Sequence, residues 1–221
     1  MNIEAYHQIV KELEGYGAQL VAVSKTKPAD DIKTLFDEGQ LVFGENKVQE
    51  MTGKQELLDA SIQWHMIGHL QRNKVKYMAP YVALVHGIDS LRLLKEVNKQ
   101  GKNADRKISC LLQMHIAEEE SKFGLAQNEL EEIIGYLQTE QPEYLHIKGL
   151  MGMATNTSDK TQVRKEFEGL KGLFDNLKTT AFANDDFNVL SMGMSGDYKI
   201  ALDAGSNMVR IGSMIFGARN Y

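Results

Sequence analysis

The sequence predicts an α/β protein in which strands and helices alternate from end to end. Short apolar runs rich in Val, Ile and Leu alternate with segments of helical periodicity, which is the pattern of βα units. The 221 residues contain 43% hydrophobic and 25% charged side chains, which is typical of an ordinary globular chain. The sequence contains no linker, low-complexity tract or shift in composition, so we expect a single domain spanning 1–221.

The first half of the chain predicts a leading helix followed by four strand–helix units. A helix over 3–14 places its apolar residues on one face. After the first strand, Pro28 and an acidic first turn begin a helix that Gly39 ends. After the fourth strand, Ser90 is the expected N-cap of the next helix. The predicted strands cover 20–23, 41–43, 62–67 and 82–88.

The second half of the chain repeats this alternation of strands and helices. Apolar periodicity predicts helices around 130–137, 163–177 and 196–204. The predicted strands cover 108–116, 146–153, 187–192 and 208–211. About eight βα units in little more than 200 residues fit a TIM-type (β/α)₈ barrel at the short end of its size range. The alternative, an open doubly wound sheet, usually has about five or six strands, so we predict the barrel with an extra N-terminal helix.

Composition and termini exclude several classes of protein. Cys110 is the only cysteine, which rules out a disulfide framework and a cysteine zinc cluster. No apolar run approaches the roughly 20 residues of a membrane span, and residues 1–4 lack the character of a secretory signal. The 30 acidic residues exceed the 25 basic ones, which argues against general nucleic-acid binding. We expect a cytoplasmic monomer with no nucleic-acid or membrane partner.

Lys25 is the first candidate functional residue. The active site of a (β/α)₈ barrel lies at the C-terminal ends of the strands, and Lys25 follows the apolar run 20–23 there. Partial burial and the like charge of Lys27, on the same face of the strand, are expected to lower its pKa. Only a free amine attacks a carbonyl, so such a lysine suits a covalent bond to an aldehyde. The structural alternative is a lysine that reaches solvent or pairs with Glu45.

The ends of the seventh and eighth predicted strands indicate a phosphate site. Ser195 lies in the glycine-containing segment 193–196 before a predicted helix, and Gly212 and Ser213 follow the last strand. Backbone N–H groups at such places bind anions, and these two loops are the usual phosphate site of the barrel. The structural alternative is a capped helix and a glycine turn. An amine and a phosphate cradle at one barrel mouth together suit pyridoxal 5′-phosphate (PLP), a phosphorylated aldehyde.

Arg210 interrupts the apolar strand 208–211 and therefore requires a partner. At the barrel mouth it could direct a guanidinium N–H at a pyridine nitrogen. That nitrogen would stay unprotonated because the guanidinium gives up no proton, and the ring would stabilise carbanions poorly. The structural alternative is an ion pair with Asp203 or Glu45.

Seven segments form an ordered set of motifs, most of them at predicted strand ends. They are 21–28 (VAVSKTKP), 43–50 (FGENKVQE), 64–74 (WHMIGHLQRNK), 120–124 (ESKFG), 149–154 (GLMGMA), 190–197 (LSMGMSGD) and 208–219 (MVRIGSMIFGAR). Together they resemble the pyridoxal 5′-phosphate homeostasis protein family, which is similar to the barrel domain of alanine racemase. The resemblance extends from about residue 20 to the C-terminus.

The resemblance implies a cofactor and its ligands. It implies that PLP is held as an aldimine on Lys25, with Asn46 near the phenolic oxygen and Arg210 facing the pyridine nitrogen. The implied phosphate ligands are the Met194 backbone, Ser195, Gly212 and Ser213. It also implies a role in vitamin B6 and amino-acid homeostasis, in which the protein stores PLP and delivers it to PLP-dependent apo-enzymes without established catalysis.

The alternative function is a PLP-dependent amino-acid racemase. Racemisation needs two bases on opposite faces of the α-carbon, and the racemase takes one from a second domain. We expect 221 residues to leave no room for that domain, so we predict no catalytic residues. Lys27, Lys47 and Lys122 are candidates for a transient second amine, although a solvated role explains each more simply. A regulatory module that acts through protein contacts is a third class.

The remaining motifs favour ordinary structural roles. His65 and His69 are four apart in a predicted strand, about 13 Å, which is too far to share one metal ion. Adjacent carboxylates at 118–120 cannot all face one cation. The basic run 72–76 is expected to be a solvated helix face rather than a nucleic-acid contact. We therefore predict no metal site.

Overall fold

The protein folds as a closed barrel of eight parallel strands in chain order, in which β8 pairs with β1. The computed structural model describes residues 1–119, 121–183 and 186–217. The strands are β1 (Gln19–Val23), β2 (Val42–Glu45), β3 (Gln63–Met66), β4 (Leu84–Ile88), β5 (Ile108–Met114), β6 (Leu145–Gly152), β7 (Val189–Met194) and β8 (Met208–Ile211). The predicted (β/α)₈ barrel is confirmed, and the open doubly wound sheet is excluded.

Helices cover the outside of the barrel. They are α1 (Ile3–Tyr16), α2 (Ala29–Asp37), α3 (Val48–Gln55), α4 (Val75–Met78), α5 (Leu91–Asn103), α6 (Gln127–Glu140), α7 (Lys160–Thr179), α8 (Tyr198–Asp203) and α9 (Ser213–Phe216), with a 3₁₀ turn at Arg72–Lys74. The extra N-terminal helix is therefore present as α1. Within the described ranges, no helix combines the length and the apolar character that a bilayer span requires.

Alternation along the strands separates an interior from an exterior layer. Successive side chains of a strand point to opposite faces, so every second residue enters the barrel. The interior is filled by Val21, Val42, Leu84, Leu111, Met151 and Met208. Their neighbours, such as Ala22, Phe43 and Val85, pack under the helices in the main core. The same alternation decides which polar residues lie inside the barrel and which lie beneath a helix.

Three helices near the barrel mouth differ from the sequence prediction. The sequence pattern does not predict α3, because it is mostly polar and only Val48, Met51 and Lys54 are buried. The predicted helix over 196–204 begins later, at Tyr198, and α8 has six residues. Helix α9, which begins at Ser213, is not predicted either, and all three differences concern residues at or beside the candidate site.

Candidate functional site

A cavity of about 290 Å³ opens at the C-terminal end of the barrel. This volume lies near the lower end of the range of small-molecule sites, about 300–1,000 Å³. The seven residues singled out from the sequence all line it: Lys25, Asn46, Met194, Ser195, Arg210, Gly212 and Ser213. Val23, Ile67 and Met153 supply apolar wall. The structure thus brings the seven together, while their roles towards a ligand stay predictions.

Lys25 lies in the loop after β1 and is half-buried at the cavity wall. Because β1 ends at Val23, Lys25 and Lys27 share a loop and not a strand face, so that part of the expectation is wrong. Thr26 between them adopts a left-handed φ of 64°, which only a well-supported turn tolerates in a residue other than glycine. The Nζ of Lys27 donates to the carbonyl oxygen of Phe216 at 2.9 Å.

A buried charged cluster supports this loop from the helix side; we call it the Lys54 cluster, and it comprises Ser24, Glu45, Glu50 and Lys54. The Nζ of Lys54 donates to Glu45 Oε1 and Glu50 Oε1, both at 2.7 Å, and to the Ser24 carbonyl at 2.9 Å. The Ser24 hydroxyl donates to the same Glu45 oxygen at 2.6 Å. The salt-bridge alternative for Lys25 is therefore wrong, because the partner of Glu45 is Lys54.

The Lys54 cluster holds the backbone on both sides of Lys25. Ser24 is bound through its carbonyl and its hydroxyl, and Glu50 Oε1 accepts the Thr26 N–H at 2.6 Å. The Glu45 side chain is fully buried, and burial raises its pKa despite the attraction of Lys54. Its Oε2 is buried without a hydrogen-bond partner in the described structure. The cluster therefore fixes the position of Lys25 at an electrostatic cost.

Asn46 follows β2 and is placed by a close approach of the next strand end. A Cβ on Gly68 would lie 2.4 Å from the Asn46 carbonyl oxygen and 2.7 Å from its Cα. Only glycine therefore lets the loop after β3 pass behind Asn46. This packing holds Asn46, which is partly buried, against the cavity.

The loops after β7 and β8 meet at the other side of the cavity. Gly193 has a φ of 96°, and a Cβ there would lie 2.6 Å from the Ala201 Cβ, so glycine is required for this turn. The Gly212 N–H donates to the Ser195 hydroxyl oxygen at 3.4 Å, which joins the two loops. In the part of the chain that the structure describes, the N–H groups of Ser195 and Ser213 donate to no protein acceptor. These groups can receive an anion.

The Met194 backbone is already engaged. Its N–H donates to Asp197 Oδ1 at 2.6 Å, and Met194 faces the cavity with a side chain that is 40% exposed. Burial raises the pKa of Asp197, although Arg210 and the bond from Met194 oppose this shift. The helix that the sequence predicts from residue 196 begins at Tyr198 instead, so the N-terminus of α8 lies behind Asp197. On this side of the cavity Ser195 therefore lies in a loop, whereas Ser213 is the first residue of the short helix α9.

Arg210 is buried with 4% exposure and is held by neutral oxygens. Its Nη1 donates to the Ser191 carbonyl at 3.0 Å and the Ser191 hydroxyl at 2.6 Å, and its Nη2 donates to the Gly152 carbonyl at 3.1 Å. The predicted alternative of an ion pair is wrong, since Asp203 pairs with Arg164. Burial lowers the pKa of Arg210 to about 10, so it stays charged at neutral pH. Three of the five guanidinium N–H groups are used, and the remaining two have no acceptor among the described residues.

The other candidates lie outside the cavity lining. His69 Nδ1 contacts Asp89 at 3.1 Å, whereas His65 points into the barrel. Across the described ranges, no three His, Cys, Asp or Glu side chains cluster as metal ligands would. Glu119 pairs with Lys122, which also donates to the Ala154 carbonyl. Lys47 is exposed, and Cys110 is buried in β5. Glu120 and the motif end 218–219 lie outside the described residues.

Sequence reasoning missed three residues that support the site. Lys54 belongs to a helix that the pattern does not predict, so nothing local marks it. His86 and Ser191 do carry a signal, because each is a polar residue inside a predicted apolar strand. Like Arg210, each of them requires a hydrogen-bond partner inside the barrel.

Comparisons with known proteins agree with the fold. The family described as the N-terminal domain of alanine racemase matches residues 2–220. A pyridoxal phosphate homeostasis protein of Pasteurella multocida is 36% identical over 223 residues, which cover 100% of this chain and 94% of that protein. The structure of PipY from Synechococcus elongatus without PLP has a TM-score of 0.91 and 29% identity, covering 98% and 100% of the two chains. PipY with PLP bound has a TM-score of 0.87 and 28% identity, with the same coverage.

Proposed function

The chain belongs to the pyridoxal phosphate homeostasis proteins, in the family of the alanine racemase N-terminal domain, and we propose that it binds PLP in the cavity at the barrel mouth. One observation carries the proposal: an amine, a buried guanidinium and two loops of hydroxyl and N–H donors line a single cavity of about 290 Å³. PipY, which has the same fold at 28% identity, has a structure with PLP bound, and this supports the assignment.

The residues of the cavity match the parts of PLP. When bound, PLP supplies an aldehyde that condenses reversibly with a primary amine, and Lys25 is the proposed partner. The two remaining N–H groups of Arg210 suit the ring nitrogen, and Asn46 suits the phenolic oxygen. The proposed phosphate donors are the backbone and hydroxyl groups at Ser195, Gly212 and Ser213. The N–H groups of Ser195 and Ser213, which donate to no protein acceptor in the described structure, support this fit, because such groups can donate to a phosphate.

We propose a protein that stores and delivers PLP and does not turn over a substrate. Racemisation needs a proton carrier on each face of the α-carbon. In the described lining of the cavity, the amines that could carry a proton are those of Lys25 and Lys27, and Lys27 is bound to the Phe216 carbonyl. Arg210 keeps its proton. The proposal includes a role in cytoplasmic vitamin B6 and amino-acid homeostasis for a one-domain monomer.

Reduction of the PLP-loaded protein with borohydride, followed by peptide mapping, tests the assignment of Lys25. Before reduction, we expect the wild type loaded with PLP to show visible absorbance. After reduction, we expect the cofactor to remain attached to the Lys25 peptide. Both signals should be lost in Lys25→Ala. Lys33→Ala is the matched control, since Lys33 is an exposed lysine of α2. A label on another lysine of the wild type, or no label, would contradict the proposal.

Exchange of solvent deuterium into the Cα position of amino acids tests the absence of turnover. The PLP-loaded wild type is incubated with a panel of amino acids in heavy water. We expect exchange no faster than that of free PLP with the same amino acids. Sustained exchange at the rates of known racemases would instead favour the enzyme.

A further inference from the structure

A row of buried polar side chains crosses the barrel interior from Arg210. The Ser191 hydroxyl contacts Arg210 Nη1 at 2.6 Å and His86 Nδ1 at 3.1 Å. His86 Nε2 in turn contacts His65 Nδ1 at 3.0 Å. The four residues are at most 4% exposed and come from β8, β7, β4 and β3. We call Arg210, Ser191, His86 and His65 the interior chain.

The direction of each hydrogen bond in the interior chain follows from Arg210. A guanidinium only donates, so the Ser191 hydroxyl oxygen accepts from it. Among the described residues His86 Nδ1 is the remaining partner of this hydroxyl, so a satisfied Ser191 O–H requires His86 Nδ1 to accept. A neutral histidine whose Nδ1 accepts has its proton on Nε2, so His86 donates to His65 Nδ1. Every hydrogen bond in the interior chain is therefore donated in the same direction, from Arg210 towards His65.

Both imidazoles of the interior chain are neutral near pH 7. Burial lowers the pKa of His65 to about 3. Burial, with smaller contributions from His65 and the charge of Arg210, lowers the pKa of His86 well below its usual range. A protonated His86 would donate from both nitrogens, and Ser191 would lose the acceptor of its O–H. The neutral state is thus part of the arrangement.

We propose that His86 is a positioning residue for Arg210. Through Ser191 it fixes the guanidinium so that its two remaining N–H groups face the cavity, and His65 holds His86 in the tautomer this requires. The groups hydrogen-bonded to Arg210 are neutral oxygens of Ser191 and Gly152, and Asp197 acts on its charge without a hydrogen bond to it, so the guanidinium keeps donors for the ligand. This inference rests on the proposed function, because the ligand atom that Arg210 meets is the ring nitrogen of PLP.

NMR of the ligand-free protein tests the positioning role without PLP. The ring nitrogens of His65 and His86 are expected to show neutral Nε2–H tautomers from pH 5 to pH 8. The Arg210 Nε–H resonance is expected to move in His86→Leu and to return towards the wild type in His86→Asn, whose amide oxygen can accept from Ser191. His7→Leu, an exposed histidine of α1, is the control that leaves it in place. An unmoved resonance in His86→Leu, or a cationic His86, overturns the proposal.

The PLP-loaded protein gives a second test, with ¹⁵N in the pyridine ring of PLP. We expect His86→Leu to shift the ring nitrogen resonance and to weaken PLP binding about tenfold, the effect of one hydrogen bond to a charged group. His86→Asn should recover most of both effects. An unchanged ring resonance in a His86→Leu protein that still carries PLP overturns the proposal.

Two controls distinguish a variant that does not fold, a wrong positioning role and a wrong proposed function. Ser191→Ala removes one oxygen and is expected to move the same Arg210 resonance, so it replaces His86→Leu if that variant does not fold. An unmoved resonance in folded Ser191→Ala also overturns the proposal. If the wild type takes up no PLP, the proposed function is wrong, while the Arg210 resonance of the ligand-free variants still decides the positioning role.

Discussion

Replacing Lys54 by methionine removes the only cation of the buried cluster behind Lys25 while nearly preserving side-chain volume. The Lys54 and Glu45 side chains are 9% and 0% exposed. The change deprives Glu45, Glu50 and the Ser24 carbonyl of one shared donor. Glu45 already has one oxygen without a partner, so the variant leaves a buried carboxylate with the Ser24 hydroxyl as its remaining bond. We expect a large loss of stability.

The magnitude follows from the burial of the pair. Removing one partner of a buried ion pair costs about 3–5 kcal/mol, because the remaining charge is uncompensated. Whole domains are stable by only about 5–15 kcal/mol, so such a loss is easily measured. We expect Lys54→Met to lower the free energy of unfolding by about 3 kcal/mol at pH 8.

The loss of stability in Lys54→Met also depends on pH, and Glu45 determines whether the loss grows or shrinks as the pH rises. Burial raises the pKa of Glu45 in the folded protein above its unfolded value, so the folded state binds this proton more tightly. Stability therefore falls as the pH rises from about 4.3 through the folded pKa. Loss of Lys54 removes the main influence that lowers this pKa. In the variant, the pH range over which stability falls therefore extends to higher pH. The variant is accordingly expected to lose less stability at pH 5 than at pH 8.

Urea unfolding followed by circular dichroism at pH 5 and pH 8 measures these effects. Lys33→Met is the matched control, because Lys33 and Asp37 form an exposed pair, 64% and 57% accessible. We expect a cost below about 0.5 kcal/mol there. Lys54→Met combined with Glu45→Gln should recover about 1–2 kcal/mol, since the second change removes the buried charge. A cost for Lys54→Met at pH 8 no larger than that of Lys33→Met would refute the reasoning.

Substitutions at the cavity wall and in the barrel interior give two more tests. Gly68→Ala should cost about 1–3 kcal/mol in urea unfolding and weaken PLP uptake, because its Cβ displaces Asn46. Gly169→Ala, in α7 with nothing within 4 Å, should be neutral or stabilising by about 1 kcal/mol; equal effects of the two would contradict the packing argument. The folded pKa values of His65 and His86 lie below the unfolded value, so the stability they contribute is present above about pH 6.5 and is lost towards acid. His65 alone accounts for roughly 2.5 kcal/mol between pH 6.5 and 4.5, and an acid slope unchanged in His65→Phe would disprove this.

The strands could be predicted from the sequence because strands buried on both faces are apolar runs. The bounds differ by a few residues where an apolar run continues into a loop, as in 82–88 against Leu84–Ile88. Helix α3 could not be predicted, because only two of its apolar residues, Val48 and Met51, pack on the barrel. Tertiary packing, which the local pattern does not contain, stabilises that helix.

The meeting of the cavity residues could be predicted because strand ends of a parallel barrel share one rim. The supports of those residues could not be predicted as readily. Lys54 is buried only because α3 places it over β2, nine residues from Glu45 and 30 from Ser24 in the chain. His86 could have been identified as Arg210 was. It is a polar residue in an apolar strand, and it lies two residues from Leu84, so both side chains point into the barrel.

The cavity is supported from both faces of the barrel wall, and this bears on what the protein does with its ligand. The Lys54 cluster fixes Lys25 from beneath α3, and the interior chain fixes Arg210 from inside the barrel. Groups ordered on folding need not be ordered on binding, so a preorganised site holds a ligand more tightly. A catalytic cycle would also need proton carriers placed around the substrate, and the described lining offers two lysines for this. Rigid support suits tight binding, and the small number of proton carriers in the described lining favours storage and delivery of PLP over turnover.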